Sequence, residues 1–302
     1  MKILIIGYGS IGRRHHKNLI KLGHKDISLY DPCIKESKLE NLEQFDVVFV
    51  CSPNNLHITH ALLATKAGCY IFIEKPLSHN IKDISKLEKI VKSKKLINMV
   101  ACNMRFHPAL QFIKKYLEQK KLGKIYSIKH YQGQYLPDWR PCTDYSKNYA
   151  AKRSTGGGII LDDIHEFDLL FWLNNFKPVS SYKIMSDKVS NLKIETEDIA
   201  HAMFKFKNKV LGIVTCDYLQ QSYSRGCKIV GEKGNIEWDF TQNIVWLKTK
   251  DKSTKIFQMK SWDVNQMYID EVKYFLSCVK KKKQTFNSIA TAKSLLTYLV
   301  KK

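Results

Sequence analysis

The chain holds a short apolar run, YIFI at 70–73, that ends in Glu74-Lys75-Pro76. A lysine at the carboxyl end of a strand can present its ammonium to an oxygen that gains negative charge, and a proline there fixes the backbone as it leaves the strand. The plain alternative is that Pro76 stops the strand and Lys75 is one more solvated cation among 44 lysines. A second cluster carries a different chemistry. Gly7-Tyr8-Gly9-Ser10-Ile11-Gly12 is a GxGxxG between an apolar strand, KILIIG, and a helix-like segment. Gly7 permits the tight turn, Gly9 lets backbone approach a pyrophosphate, and Gly12 allows close helix packing. Ser10 and Ile11 open the helix whose first N–H groups face the phosphates. Asp31 ends the second strand nineteen residues after Gly12, where a carboxylate accepts both ribose hydroxyls. It repels a 2'-phosphate, so NAD is favoured, while Arg13 and Arg14 just inside the helix leave NADP open.

These residues need a frame, and the first third of the chain supplies one. Apolar runs alternate with amphipathic segments, as in DISLYD, FDVVFVCSP, HITHALLATKAG and CYIFIE, which is the βαβ rhythm of a parallel sheet. After Gly123 the strands follow one another without intervening helices, with short links at Lys207-Asn208-Lys209 and Glu232-Lys233-Gly234 that suit hairpins. The expected fold is α/β: an N-terminal Rossmann parallel sheet and a C-terminal α+β domain on a mostly antiparallel open sheet. The domains are placed at 1–122 for dinucleotide binding and 123–302 for substrate binding and oligomerisation. A helix, GIILDDIHEFDLLFWL, interrupts the second domain, and two more end the chain.

Composition excludes several classes. The formal charge is +22, but the basic residues are mostly lysine and are spread along the chain without interleaved arginine and aromatics, so no nucleic-acid partner is expected. The densest run, KKKK at 280–283, follows a helical pattern, where cations suit a helix C-terminus. No apolar stretch reaches the length of a membrane span or signal segment, so a soluble, cytoplasmic chain is expected. Eight cysteines without CxxC spacing read as reduced thiols, with no metal site.

Taken together, GYGSIGRRH, CSPNNLHITHALLATKAG, EKP and GGGIILDDIHEFD resemble the Gfo/Idh/MocA family of sugar and polyol oxidoreductases, over nearly the whole chain. The resemblance implies a lysine beside the nicotinamide at Lys75, and cofactor contacts from Ser52, Pro53, Asn54, His57 and Glu74. It also implies a site at Gly157-Gly158 with Asp162 and His165. The family commonly separates that aspartate and histidine by three residues; here two intervene, and both spacings face one side of a helix. Asp163 would point elsewhere, and His165 could instead cap a helix or fill the core. Glu166 and Asp168 read as structural.

The stretch YLPDWRPCTDYSKNYAAKRSTGGG resembles a subgroup of bacterial surface-polysaccharide and sialic-acid-like sugar pathways. Trp139, Tyr145 and Tyr149 could stack on a sugar or base, and Arg140, Lys152 and Arg153 could pair with phosphate or carboxylate; equally, the loop could cover its own apolar surface. Arg105 and His107 follow the fifth strand, at the edge where ligands bind, as plausible substrate contacts. The reading is an NAD(P)-dependent oxidoreductase interconverting a secondary hydroxyl and a ketone on a sugar, nucleotide sugar or sugar acid. Lys75, His165 and Asp162 are catalytic, and substrate is held by Arg105, Trp139, Arg140, Tyr149, Asp162 and His165. The resemblance also implies a homo-oligomer, dimer or tetramer, through the C-terminal sheet. Two alternatives stay open: a glycosidase acting through transient oxidation with retained NAD, and a catalytically silent NAD-binding regulator.

Overall fold

The structure is a computed structural model that describes residues 1–34 and 38–300. The second domain as read from sequence runs to residue 302, so its last two residues lie outside the described ones. The first sheet is built by β1 (Ile3–Ile6), β2 (Ile27–Tyr30), β3 (Val47–Val50), β4 (Tyr70–Ile73) and β5 (Asn98–Val100), with helices α1 (Ser10–Lys21), α2 (His57–Lys66) and α3 (Ile84–Ser93) between strands. Its order is β2-β1-β3-β4-β5 and every pairing is parallel. All four residues of β3 are fully buried, as a strand covered on both faces requires. The strand order reverses between β1 and β3, and the crevice outside their carboxyl ends is where such sheets take ligands.

The chain continues with α4 (Pro108–Glu118), β6 (Ile125–Gly133), α5 (Ile159–Asp162) and α6 (Ile164–Leu173). Then come β7 (Val179–Asp187), β8 (Ile199–Phe206), β9 (Leu211–Asp217), β10 (Ser224–Gly231), β11 (Gly234–Asp239), β12 (Ile244–Lys248) and β13 (Ser253–Gln258). These strands form an open sheet in the order β13-β12-β11-β10-β6-β9-β8-β7. Only β6 and β9 pair in parallel; all other neighbours are antiparallel, and β8–β9 and β10–β11 are the hairpins expected from their links. One face packs on α6: a Cβ at Gly212 on β9 would lie 2.8 Å from a Leu170 methyl. The other face carries Met185, Met203 and Leu211, exposed by 63%, 62% and 51%.

Two last helices, α7 (Asn265–Lys280) and α8 (Ile289–Leu299), follow this sheet. They group with the first: one compact unit comprises Met1–Asn103, Ser154–Gly156 and the chain from Val264, and the other Met104–Arg153 and Gly157–Asp263. A division at 122/123 leaves these helices with the second sheet, because an amphipathic stripe does not say which sheet it covers. In the structure Phe275 of α7 packs on Phe49 and Phe72, with centroids 5.8 and 5.4 Å away. The segment leading into α8 seals the outer edge of β5, where Thr285 Oγ1 donates to the Asn98 carbonyl and Asn287 Nδ2 to the Val100 carbonyl. An edge strand left without such partners would offer its polar groups to another chain. Among the described residues no helix is long and apolar enough to cross a membrane, and no cluster of side chains is suited to a metal ion.

Candidate active site

Each unit carries one cluster. In the first, Gly7 leaves β1 with φ +95°, its N–H donating to the Tyr30 carbonyl at 2.7 Å, and a Cβ there would lie 2.6 Å from the Cys51 carbonyl carbon. Both the torsion and the contact demand glycine. Gly9 differs, since a Cβ on it would meet no atom of the described residues within 4 Å. Protein packing therefore does not explain this glycine, whereas close approach of a phosphate does. Among the described residues no side chain caps the N-terminus of α1 and no acidic residue sits in its first turn, which suits the helix dipole to an anion.

Asp31 closes the turn from the side of β2. Its Oδ2 accepts the Tyr8 N–H at 2.6 Å and its Oδ1 the Cys33 N–H at 2.9 Å. The Tyr8 amide, more than the Cys33 groups and Arg13, holds this carboxyl below its ordinary value, so it stays ionised for a ribose. Beyond β3, Ser52 is buried with its hydroxyl 2.9 Å from His60 Nδ1, Pro53 is exposed, and Asn54 donates to the Gly156 carbonyl at 2.9 Å. His57 is 1% exposed, and its two ring nitrogens lie 2.7 and 2.8 Å from the carbonyls of Pro76 and Ser52. It thus ties the loop after β3 to the loop after β4, and burial lowers its pKa.

The Glu74-Lys75-Pro76 turn follows β4 directly, with a cis Lys75–Pro76 peptide. Glu74 is buried, and its Oε1 meets His15 Nε2 of α1 at 2.6 Å while Oε2 accepts the Lys75 N–H at 3.2 Å. Burial alone would raise the Glu74 pKa; the hydrogen bond and charge of His15, then Lys75 and His57, outweigh it and bring the pKa down. No sequence motif marks His15. Its only signal there is a polar residue three positions after Gly12, on the helix stripe that should be apolar.

In the second unit the helix read as continuous is broken: α5 ends at Asp162, and Asp163 (φ −97°, ψ 27°) separates it from α6. Gly158, at φ +111°, starts α5 with the Glu197 carboxylate packed where a side chain would stand. Asp162 is 3% exposed and its Oδ2 accepts the Tyr218 hydroxyl at 2.5 Å. Tyr149 also bonds Asp162, and burial followed by that aspartate's charge pushes both phenols well above their ordinary pKa. Asp163 is buried against Gln132, whose amide, with its nitrogen toward the carboxylate, donates to it. His165 opens the first turn of α6 and is partly exposed.

The long loop before α5 rests on the same two tyrosines. Trp139 packs edge-on to Tyr218 with centroids 5.2 Å apart, and the guanidinium of Arg140 lies 5.9 Å above the Tyr149 ring. Arg140 is exposed, while Arg153 donates to the Glu195 carbonyl and Tyr145 accepts the Lys193 N–H. Tyr218, like His15, escaped the sequence reading, because a tyrosine ending an apolar strand carries no distinguishing pattern.

Two buried ion pairs and a buried histidine serve the fold. Glu166 is buried between Arg225, 2.5 Å away, and His130. Arg105 forks onto Asp168 with Nε and Nη2 contacts of 2.7 and 2.5 Å, under the ring of Phe176. At 1% exposure, Arg105 has the geometry of an internal ion pair rather than of the substrate contact expected from sequence. His107 likewise sits among Trp238, Phe240 and Trp262 and caps α4, its pKa lowered to about 3 by burial, then by Arg225.

A glycine turn at the switch point of a parallel sheet, a ribose-type aspartate and a lysine one strand further define a dinucleotide-dependent oxidoreductase. Residues 1–102 match the NAD-binding Rossmann fold of the GFO/IDH/MocA oxidoreductase family, and residues 110–237 match the C-terminal domain of the same family. The chain belongs to this family and is an NAD-dependent enzyme. It is 25% identical to myo-inositol 2-dehydrogenase of Thermotoga maritima over 93% of this chain and 88% of that one. It is 35% identical to levoglucosan dehydrogenase of Pseudarthrobacter phenanthrenivorans, over 42% of this chain and only 32% of that enzyme. Among solved structures, a levoglucosan dehydrogenase complexed with NADH superposes with a TM-score of 0.82 at 19% identity, covering 98% of this chain and 94% of that chain. UDP-N-acetylglucosamine 3-dehydrogenase from Acidithiobacillus ferrooxidans gives 0.80 at 18%, covering 99% and 95%. At such identities the superpositions speak for the fold alone.

Proposed function

We propose that this chain interconverts a secondary hydroxyl and a ketone on a sugar, nucleotide sugar or sugar acid. The observation that carries the reading is the placement of Lys75, at the carboxyl end of β4 in the sheet whose β1 turn fits the cofactor. When bound, NAD supplies the hydride acceptor, or in the reverse direction NADH supplies the donor. The first unit holds it through Gly7, Gly9, Ser10, Ile11, Gly12 and Asp31, with Ser52, Pro53 and Asn54 along the next loop. His57 and Glu74 act from beneath, through the backbone they fix. Lys75 hydrogen-bonds the substrate oxygen and favours its alkoxide-like state; His165 takes the hydroxyl proton. Asp162, with Tyr149 and Tyr218 on its carboxylate, orients the substrate.

The unit of Met104–Arg153 and Gly157–Asp263 supplies the substrate side. Trp139, Arg140 and Tyr149 suit a sugar bearing an anionic group, since a stacked guanidinium offers a planar fork to carboxylate or phosphate. This supports the surface-polysaccharide or sialic-acid-like subgroup, whereas the names of the relatives point to inositol and levoglucosan. The apolar residues Met185, Met203 and Leu211 on the outer sheet face support a homo-oligomer, checked by light scattering on a Met203→Asp variant.

The test is reduction of NAD, followed by absorbance, across neutral polyols, sugar acids and nucleotide sugars. Lys75→Met should fold, bind NAD, and lose roughly 2.7 to 4 kcal/mol of transition-state stabilisation on whichever substrate turns over. Normal turnover in that variant would return Lys75 to the solvated lysines.

A further inference from the structure

His15 and Glu74 are 59 residues apart in sequence and both buried, His15 at 0% and Glu74 at 7% exposure. The imidazole lies among Phe49, Phe72 and Tyr268, with centroids 5.7, 5.2 and 6.4 Å away, so its orientation is set by packing on three elements. Its Nε2 reaches Glu74 at 2.6 Å, and its Nδ1 is buried with no hydrogen-bond partner among the described residues. A ring that leaves one nitrogen unsatisfied in the core is costly to keep, and the bond to Glu74 is what it secures. The second oxygen of Glu74 accepts the Lys75 N–H. The carboxylate serves both neighbours at once, Oε1 meeting the imidazole and Oε2 the Lys75 N–H.

We infer that His15 is a positioning residue for the reaction: through Glu74 it ties the backbone of Lys75 to α1, the helix whose N-terminus fits the cofactor's phosphates. The element that receives the dinucleotide and the lysine beside it are thereby held as one body. The inference rests on the reading of Lys75 as the residue that meets the substrate oxygen.

The experiment compares His15→Leu with His15→Gln in the full-length, NAD-loaded protein. Glutamine can place its amide nitrogen near the position of Nε2, whereas leucine fills space without donating. Amide exchange at Lys75 should quicken by about 10-fold or more in His15→Leu and stay within about 2-fold in His15→Gln. Turnover should fall by about 10- to 100-fold in His15→Leu alone, with NAD affinity within about 3-fold, as expected when a reacting group shifts while binding persists. Unchanged exchange at Lys75 in a folded His15→Leu protein overturns the inference. Should His15→Leu not fold, Glu74→Leu, which removes both acceptor oxygens, reads the same tie, and unchanged Lys75 exchange there overturns it equally. Quickened exchange with normal turnover in both His15→Leu and Lys75→Met would support the tie while removing Lys75 from the chemistry.

Discussion

The hydroxyl of Tyr218, at the end of β9, donates to Oδ2 of Asp162 across 56 residues of chain and at 2.5 Å. The bond joins the sheet to the last residue of a four-residue helix too short to hold its own geometry. Tyr218→Phe keeps the ring against Trp139 and deletes the donor. A hydrogen bond to a buried charged group is worth about 1.5–3 kcal/mol, so the unfolding free energy should fall by that amount and the urea midpoint should move down with the slope unchanged. An unmoved midpoint would show that Asp162 is held without it.

Cofactor choice tests Asp31. Its carboxyl lies below the ordinary value of 3.8, chiefly through the Tyr8 amide. A depressed folded-state pKa contributes stability above the unfolded value that is lost as pH falls through the folded one. NAD affinity by calorimetry should therefore stay flat between about pH 5 and 8 as far as this group is concerned. Asp31→Asn keeps an acceptor for Tyr8 while removing charge, and should weaken NAD and narrow its advantage over NADP. Equal affinity for both nucleotides in the native chain would remove Asp31 from that role.

His165→Asn separates a base from a core histidine. As the proton acceptor, its loss should lower turnover by about 100- to 10,000-fold, with NAD binding and thermal midpoint little changed. A variant that folds and turns over normally places His165 outside the mechanism.

The Arg105–Asp168 pair predicts the opposite pattern. Removing one partner of a buried pair typically costs about 3–5 kcal/mol, so Arg105→Met should unfold at markedly lower denaturant while the KM of the surviving enzyme holds. A raised KM with native stability would restore Arg105 as a substrate contact.

Local signals were legible in the sequence, and long-range ones were not. The glycine turn, Asp31 and the alternation of the first sheet are set by residues within one βαβ unit, where periodicity and turn chemistry act directly. The break at Asp163 is invisible to such patterns, because GIILDDIHEFDLLFWL keeps its apolar spacing across it; the interruption comes from the partners of Asp162 and Asp163 in the sheet. The pairing of Glu74 with His15, and of Arg105 with Asp168, depends on which elements the fold brings together. Nothing in a run of lysines and arginines distinguishes the cation that is buried from those that are solvated. The parallel β6–β9 pair is hidden for the same reason, since neither strand's composition names its neighbour.

The place of α7 bears on how the chain is made. Phe49 and Phe72 leave the ribosome before the second sheet, yet Phe275, which packs on both, follows more than two hundred residues later, after that entire sheet. Synthesis delivers residues at about 5–20 per second, so the nascent first sheet waits on the order of ten seconds or more with that aromatic face unfinished. Until then the Cys102 N–H also lacks the Glu271 carboxylate that accepts it at 2.5 Å. A nascent chain stalled before residue 265 therefore lacks the ring that packs on Phe49 and Phe72 and the carboxylate that meets the Cys102 N–H.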